Sequence, residues 1–205
     1  MYFKKLLINY EDAIKAKDED AINYYNKYQN ILKRINQTKN IRELLNTIKG
    51  AFDWKLHAQF FNNDNIEFIF SILDECENEK IFTNKIEGLA TLLEVPKEPF
   101  IKRIKNPPNN IYDLGTIDLL NICFKEKEII YNQEMFDIWK KIKILRNYYP
   151  THANPKDNNY KKLVLYFGIS DPGIIDYQTL WDNVLEKFIL SLNYLKIALK
   201  WITED

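Results

Sequence analysis

Hydrophobic residues in this chain recur at three- and four-residue steps, the spacing that lines one face of an α-helix. From about Asp12 to Ile35 the pattern runs through Ile14, Ala21, Tyr24, Tyr28, Ile31, Leu32 and Ile35. A second helix is expected from Asn40, with Ile41, Leu44, Leu45, Ile48 and Phe52 facing inward. Glu43 stands where a capping box needs it, so that the two side chains satisfy each other's free backbone N–H groups. Asp64 or Asn65 opens a third helix through Ile66, Ile69, Phe70 and Leu73, and Thr83 or Asn84 opens a short one ending near Val95. Pro96, Pro99, Pro107, Pro108 and Gly115 then punctuate the chain, predicting a short helix at Phe100–Ile104 followed by a loop. Thr116–Lys127 and Gln133–Asn147 carry helical patterns, and 148–160 is a polar connection. Lys161–Gly168 fits a short helix or a strand, and Asp171-Pro172-Gly173 is a turn. The longest stripe comes last: Trp181, Val184, Leu185, Phe188, Leu192, Leu195, Leu199 and Ile202. It predicts a helix of about seven turns buried along one side. Alternation of period two is scarce, so the expected fold class is all-α, an antiparallel helical bundle.

Composition narrows the picture. With 205 residues, 46% of them hydrophobic, the chain can fill one core, and 1–205 is expected to form a single domain with additional N-terminal helices. Only 5 glycines and 7 prolines are present, and the 29 basic and 29 acidic residues are interspersed, which excludes a low-complexity or disordered chain. A formal charge of zero excludes a general polyanion binder but leaves room for a local basic site that takes one nucleic-acid strand. The apolar run Leu6-Leu7-Ile8 is too short for a secretory signal, and no run is long enough to span a bilayer. Cys76 and Cys123 are far apart and form no C-x-x-C pair, so they are expected to be packed, reduced thiols of a cytoplasmic protein. There is no P-loop, no G-x-S-x-G and no dinucleotide-binding glycine pattern, and neither His57 nor His152 has metal-ligand spacing. No cofactor and no metal are expected.

The segment Arg146-Asn147-Tyr148-Tyr149-Pro150-Thr151-His152 carries the chemistry. At about 100° per residue, Met135, Trp139 and Ile142 fall within about 60° of one another, and Arg146 points into the same sector. Arginine is rarely buried without a partner, so Arg146 is expected at a cleft or an interface rather than on open surface. Pro150 ends the helix near Asn147 or Tyr148, and a turn there can fold His152 back beside Arg146. A histidine can take a proton from a ribose 2′-hydroxyl or give one to the leaving oxygen. A guanidinium can hold phosphate oxygens and stabilise the charge that develops on them. Asn147 can orient either group. Tyr148 and Tyr149 fit base stacking or a dimer contact nearly as well as core packing. Lys143, with Lys140 and Lys141 before the segment and Lys156, Lys161 and Lys162 after it, offers an RNA path.

The same residues, ILRNYYPTHA, resemble the R-x(4–6)-H motif of the HEPN superfamily (higher eukaryotes and prokaryotes nucleotide-binding). Five residues intervene between Arg146 and His152, and asparagine directly follows the arginine. The likeness is clearest in 116–205; the first half shares only its helical character. The resemblance implies a homodimer whose two segments meet to form a composite, metal-independent endoribonuclease site. Arg146 would bind the phosphate, His152 would move protons and Asn147 would position them. It further implies RNA as substrate, a bacterial toxin or anti-phage effector role, and a possible neutralising protein partner. Because the family includes members that do not cut, a catalytically silent, antitoxin-type interaction protein stays open.

A third reading concerns 88–106. Leu89, Ala90, Leu93, Val95 and Phe100 fall roughly where a DNA-binding helix-turn-helix packs, and Lys97, Lys102, Arg103 and Lys105 would meet phosphates. Glu94 at the turn and Pro99 in the first helical turn weigh toward two short helices packed on the bundle. His57, among Trp54, Phe60 and Phe61, has the setting of a packed histidine. The acidic run Asp18-Glu19-Asp20 suits a helix start.

Overall fold

Every expected helix that falls on the described residues forms, though boundaries move: the helix expected from about Asp12 starts at Glu19, the short one expected at Phe100–Ile104 is Glu98–Ile101, and two further shifts have a physical cause. The computed structural model describes residues 12, 14, 15, 18–56, 71–149 and 156–200, with 53–56 as backbone. Seven α-helices follow one another there, and no strand occurs among the described residues. They are α1 (Glu19–Leu56), α2 (Glu79–Leu92), α3 (Glu98–Ile101), α4 (Thr116–Glu126), α5 (Glu134–Tyr148), α6 (Asn158–Tyr166) and α7 (Tyr177–Lys200), with a 3-10 turn at Ile111–Asp113. The helix expected over 64–73 lies mostly outside the described residues, as does His57.

The first boundary to move is the break at Asn40. α1 runs straight through it, because no glycine or proline interrupts 19–49 and an asparagine on an exposed helix face costs only a few tenths of a kcal/mol, about 0.7 at most. The apolar stripe looked broken because its middle is occupied by Arg34 and Gln37, both buried. Arg34 is tolerated there by an ion pair to Glu75, Nη2 to Oε1 3.1 Å. The second boundary is the start of α2, where Asn78 rather than Thr83 or Asn84 is the cap, its side chain accepting from the Ile81 N–H at 3.1 Å.

Other ends are closed in the same way. The Asp18 carboxylate accepts from the Ala21 N–H at 3.1 Å, so the acidic run does begin a helix. Asp157 accepts from the N–H groups of Asn159 and Tyr160 at the start of α6. Asp176 accepts from Gln178, Thr179 and the Thr179 hydroxyl ahead of α7, and that hydroxyl above all holds its carboxyl below the usual carboxylate range. α6 settles the Lys161–Gly168 alternative as helix, and Gly168 at φ +81 carries the chain out of it. A Cβ on Gly168 would stand 2.8 Å from Asn183 Nδ2, the amide that donates to the Phe167 carbonyl, so only glycine fits.

α5 is the centre of the packing. It lies against α7, α2, α4 and α6, while α1 packs along α7. Trp139, Phe136, Phe124, Phe82, Trp181 and Phe188 fill the space between these helices. One buried polar link ties α5 to α7: the Trp139 indole donates to Ser191 Oγ at 2.8 Å, and Ser191 Oγ donates to the Phe188 carbonyl at 2.6 Å. α2 carries a buried cation, Lys85, on the same face as Phe82, Ile86 and Leu89. Its ammonium donates to the carbonyls of Ser71 and Asp74 and lies 5.2 Å from the Trp181 ring, while burial lowers its pKa. No helix among the described residues is long and apolar enough to cross a membrane.

Two measurements test this core. Ser191→Ala removes the acceptor of the buried indole and is expected to lower stability by about 1–3 kcal/mol in urea unfolding. Both cysteines are buried, and burial pushes the Cys76 thiol up to about 12 and the Cys123 thiol to about 11. Alkylation of the native protein by iodoacetamide near neutral pH should therefore proceed only as fast as the protein opens, and rise sharply in denaturant.

Candidate functional site

Arg146 occupies the last turn of α5. Met135, Trp139 and Ile142 on the same stripe are fully buried, whereas the Arg146 side chain is 38% exposed. The stripe argument holds for the direction of the side chain; the guanidinium escapes burial because the stripe runs out at the helix end. Its partners are carboxylates from and just beyond α2: Glu87 at 3.7 Å and Glu94 at 4.0 Å. Lys143 joins them, 3.7 Å from Glu94. These pairs are long and half exposed, a class worth about 0–1 kcal/mol, so an incoming phosphate can displace them. Glu87 and Glu94 had no signature in the sequence, since nothing local marks which exposed glutamate of one helix will meet the end of another. Asn147 is exposed, and His152 lies outside the described residues.

The two tyrosines between them divide the work. Tyr149 follows the helix as its C-cap, with its N–H on the Arg146 carbonyl at 3.2 Å. It is 5% exposed, its ring is 4.9 Å edge-on from Phe82, and its hydroxyl is 2.7 Å from the Tyr160 hydroxyl. Burial, then the bond to Tyr160, drive its pKa well above the ordinary tyrosine value. Of the alternatives for Tyr149, the structure selects core packing: its ring has no open face for a base. Tyr148 is half-buried, its hydroxyl donating to Asp157 Oδ2 at 3.2 Å and its ring 5.3 Å from that of Tyr160. Tyr148 and Tyr149 thus fasten the end of α5 to the start of α6, on both sides of residues 150–155.

The helix-turn-helix expectation does not survive the geometry. α3, which would be the recognition helix, is a single turn of four residues with a proline in it. That is too short to lay several side chains along a major groove. Lys97 and Arg103 turn back toward local carbonyls, those of Tyr112 and Pro99. Among the described residues no three His, Cys, Asp or Glu side chains converge as a metal site would require.

Comparison of the chain with models of known protein families, with curated proteins and with solved structures finds no match. The geometry of the site stands by itself.

The tyrosine pair is open to a double-mutant cycle. Tyr149→Phe should cost about 1–3 kcal/mol by stranding the buried Tyr160 hydroxyl, Tyr160→Phe should cost less because Tyr177 also reaches the Tyr149 hydroxyl, and the double variant should cost less than the sum of the two. Thermal or urea unfolding of the four proteins reads the coupling, and additive costs would refute it.

Proposed function

We propose that this all-helical chain is a metal-independent endoribonuclease, acting as a homodimer in which two Arg146–His152 segments meet across a two-fold axis. The observation that carries the reading is the setting of Arg146. It terminates a stripe of fully buried residues, yet holds its guanidinium at the surface on long, exchangeable carboxylate contacts. An arginine kept there for stability alone would gain little from such pairs.

In the proposed reaction Arg146 holds the scissile phosphate with paired hydrogen bonds, and Asn147 orients it. A histidine removes the proton from the ribose 2′-hydroxyl, whose oxygen attacks phosphorus. The bond from phosphorus to the 5′-oxygen breaks, and a protonated histidine returns a proton to that oxygen. The products are a 2′,3′-cyclic phosphate and a 5′-hydroxyl. The composite site supplies two copies of His152, one for each proton transfer, and the arginines supply the positive charge that a metal would otherwise provide.

A second reading is favoured by one observation: Glu87 and Glu94 already face Arg146, as they would in a protein whose segment only mediates contacts. The two separate in a cleavage assay. The wild-type protein is expected to cut single-stranded RNA in EDTA, and Arg146→Ala and His152→Ala should each reduce the rate at least about a hundredfold with unchanged circular dichroism. Cleavage that persists in both variants would sink the ribonuclease reading. A well-folded dimer that cuts no RNA supports the silent interaction protein instead.

A further inference from the structure

Several helix ends meet around Tyr149, and each brings one polar group to a single row. Tyr149 closes α5, Tyr160 lies in the first turn of α6, Tyr177 is the first residue of α7 and Glu79 the first of α2. The hydroxyls of Tyr160 and Tyr149 are 2.7 Å apart. The hydroxyls of Tyr149 and Tyr177 are hydrogen-bonded, with their rings 6.3 Å apart, and the Tyr177 hydroxyl donates to Glu79 Oε2 at 3.2 Å. The row thus runs from Tyr160, 2% exposed, through half-buried Tyr177 to an exposed carboxylate.

Donor counting fixes its direction. A carboxylate only accepts, and each phenol has a single hydrogen to give. Tyr177 gives its hydrogen to Glu79, so toward Tyr149 it can only accept. Tyr149 has then spent its own hydrogen and must accept from Tyr160. Every hydroxyl in the row therefore points toward Glu79, and aligned hydroxyls polarise one another most strongly where burial keeps water away. The Tyr149 N–H, on the Arg146 carbonyl at 3.2 Å, ties the row to the last turn of α5. We infer that the row is a polarised relay through which Glu79, on α2, sets how firmly the end of α5 is held, and with it the segment that begins at Arg146. That this segment is catalytic rests on the ribonuclease reading; the relay does not.

The test is a double-mutant cycle between the two ends of the row, Glu79 and Tyr160, which bond different tyrosines. Glu79→Gln, Tyr160→Phe and the double variant of the full chain are unfolded in urea. The factor by which Tyr160→Phe changes the unfolding constant should be at least about threefold smaller in the Glu79→Gln background, where the row no longer ends on a charge. Repeating the cycle with Tyr149→Phe, which cuts the row in the middle, should abolish this coupling. Repeating it with Tyr148→Phe should not, because that hydroxyl bonds Asp157 outside the row. Hydrogen exchange gives a second measure on single variants. Glu79→Gln should speed exchange of the Tyr149 N–H at least about threefold beyond any change at Ser191 in the buried middle of α7, whereas Glu77→Gln, which removes a nearby charge, should not. Additive costs for Glu79→Gln and Tyr160→Phe, or an unchanged Tyr149 exchange rate, would overturn the relay. So would coupling that survives Tyr149→Phe, since the carboxylate would then act on Tyr160 directly through its field. Neither readout needs RNA. Coupling in a protein that cuts no RNA keeps the relay and removes the ribonuclease reading; additive costs in a protein that cuts RNA do the reverse.

Discussion

The molecule depends on the burial of one face of α5. Four helices pack against it, and its interior residues Phe136, Ile138, Trp139, Ile142 and Leu145 are shut off from water. The outer face leaves Asp137, Lys140, Lys141 and Ile144 at least partly exposed, whereas on the inner face a charged side chain reaches solvent only at the end, where the neighbours stop. Arg146 is at that end. The hydrophobic effect that builds the core therefore also decides where the one stripe arginine can surface.

Polar groups inside this core are handled by local partners. The Trp139 indole is joined to Ser191, the Thr116 hydroxyl to the Val95 carbonyl, and Lys85 to the carbonyls of Ser71 and Asp74. Each bond satisfies a group whose loss to water would otherwise cost more than the bond returns. The Tyr149–Tyr160 pair follows the same logic at a more consequential place. It anchors the residues immediately after Arg146 to α6, and Tyr148 on Asp157 adds a second anchor from the neighbouring residue. These two hydroxyl contacts hold the end of α5 against the start of α6.

Charged groups meet different kinds of partner on the two sides of α5. On the α2 side Glu87 and Glu94 face Arg146 and Lys143. On the α6 side Lys141 lies over the Tyr166 ring, and Asp137 and Asp157 stand along the same side. Net charge averages over this division, and interspersed lysines and glutamates in sequence hide it, because a helix turns successive residues to different neighbours.

Periodicity alone determined the all-helical class, the course of α4, α5 and α7, and the direction in which Arg146 points. These depend on contacts within one helix and on the demand that its apolar face be covered. The same argument applied to α2 would have found Lys85 on its buried face. Tertiary structure decided the rest. Asn40 did not break α1, since the polar residues that seemed to end the stripe, Arg34 and Gln37, are buried against other parts of the fold. Tyr148 and Tyr149 are adjacent and chemically identical, and only packing separates a ring that lines a groove from one sunk against Phe82. The carboxylates that meet Arg146 come from around a helix more than fifty positions away in the chain, so their meeting was fixed by how α2 and α5 pack. Local sequence sets what a side chain can do and which way it leaves its helix; which groups stand opposite it is a property of the assembled bundle.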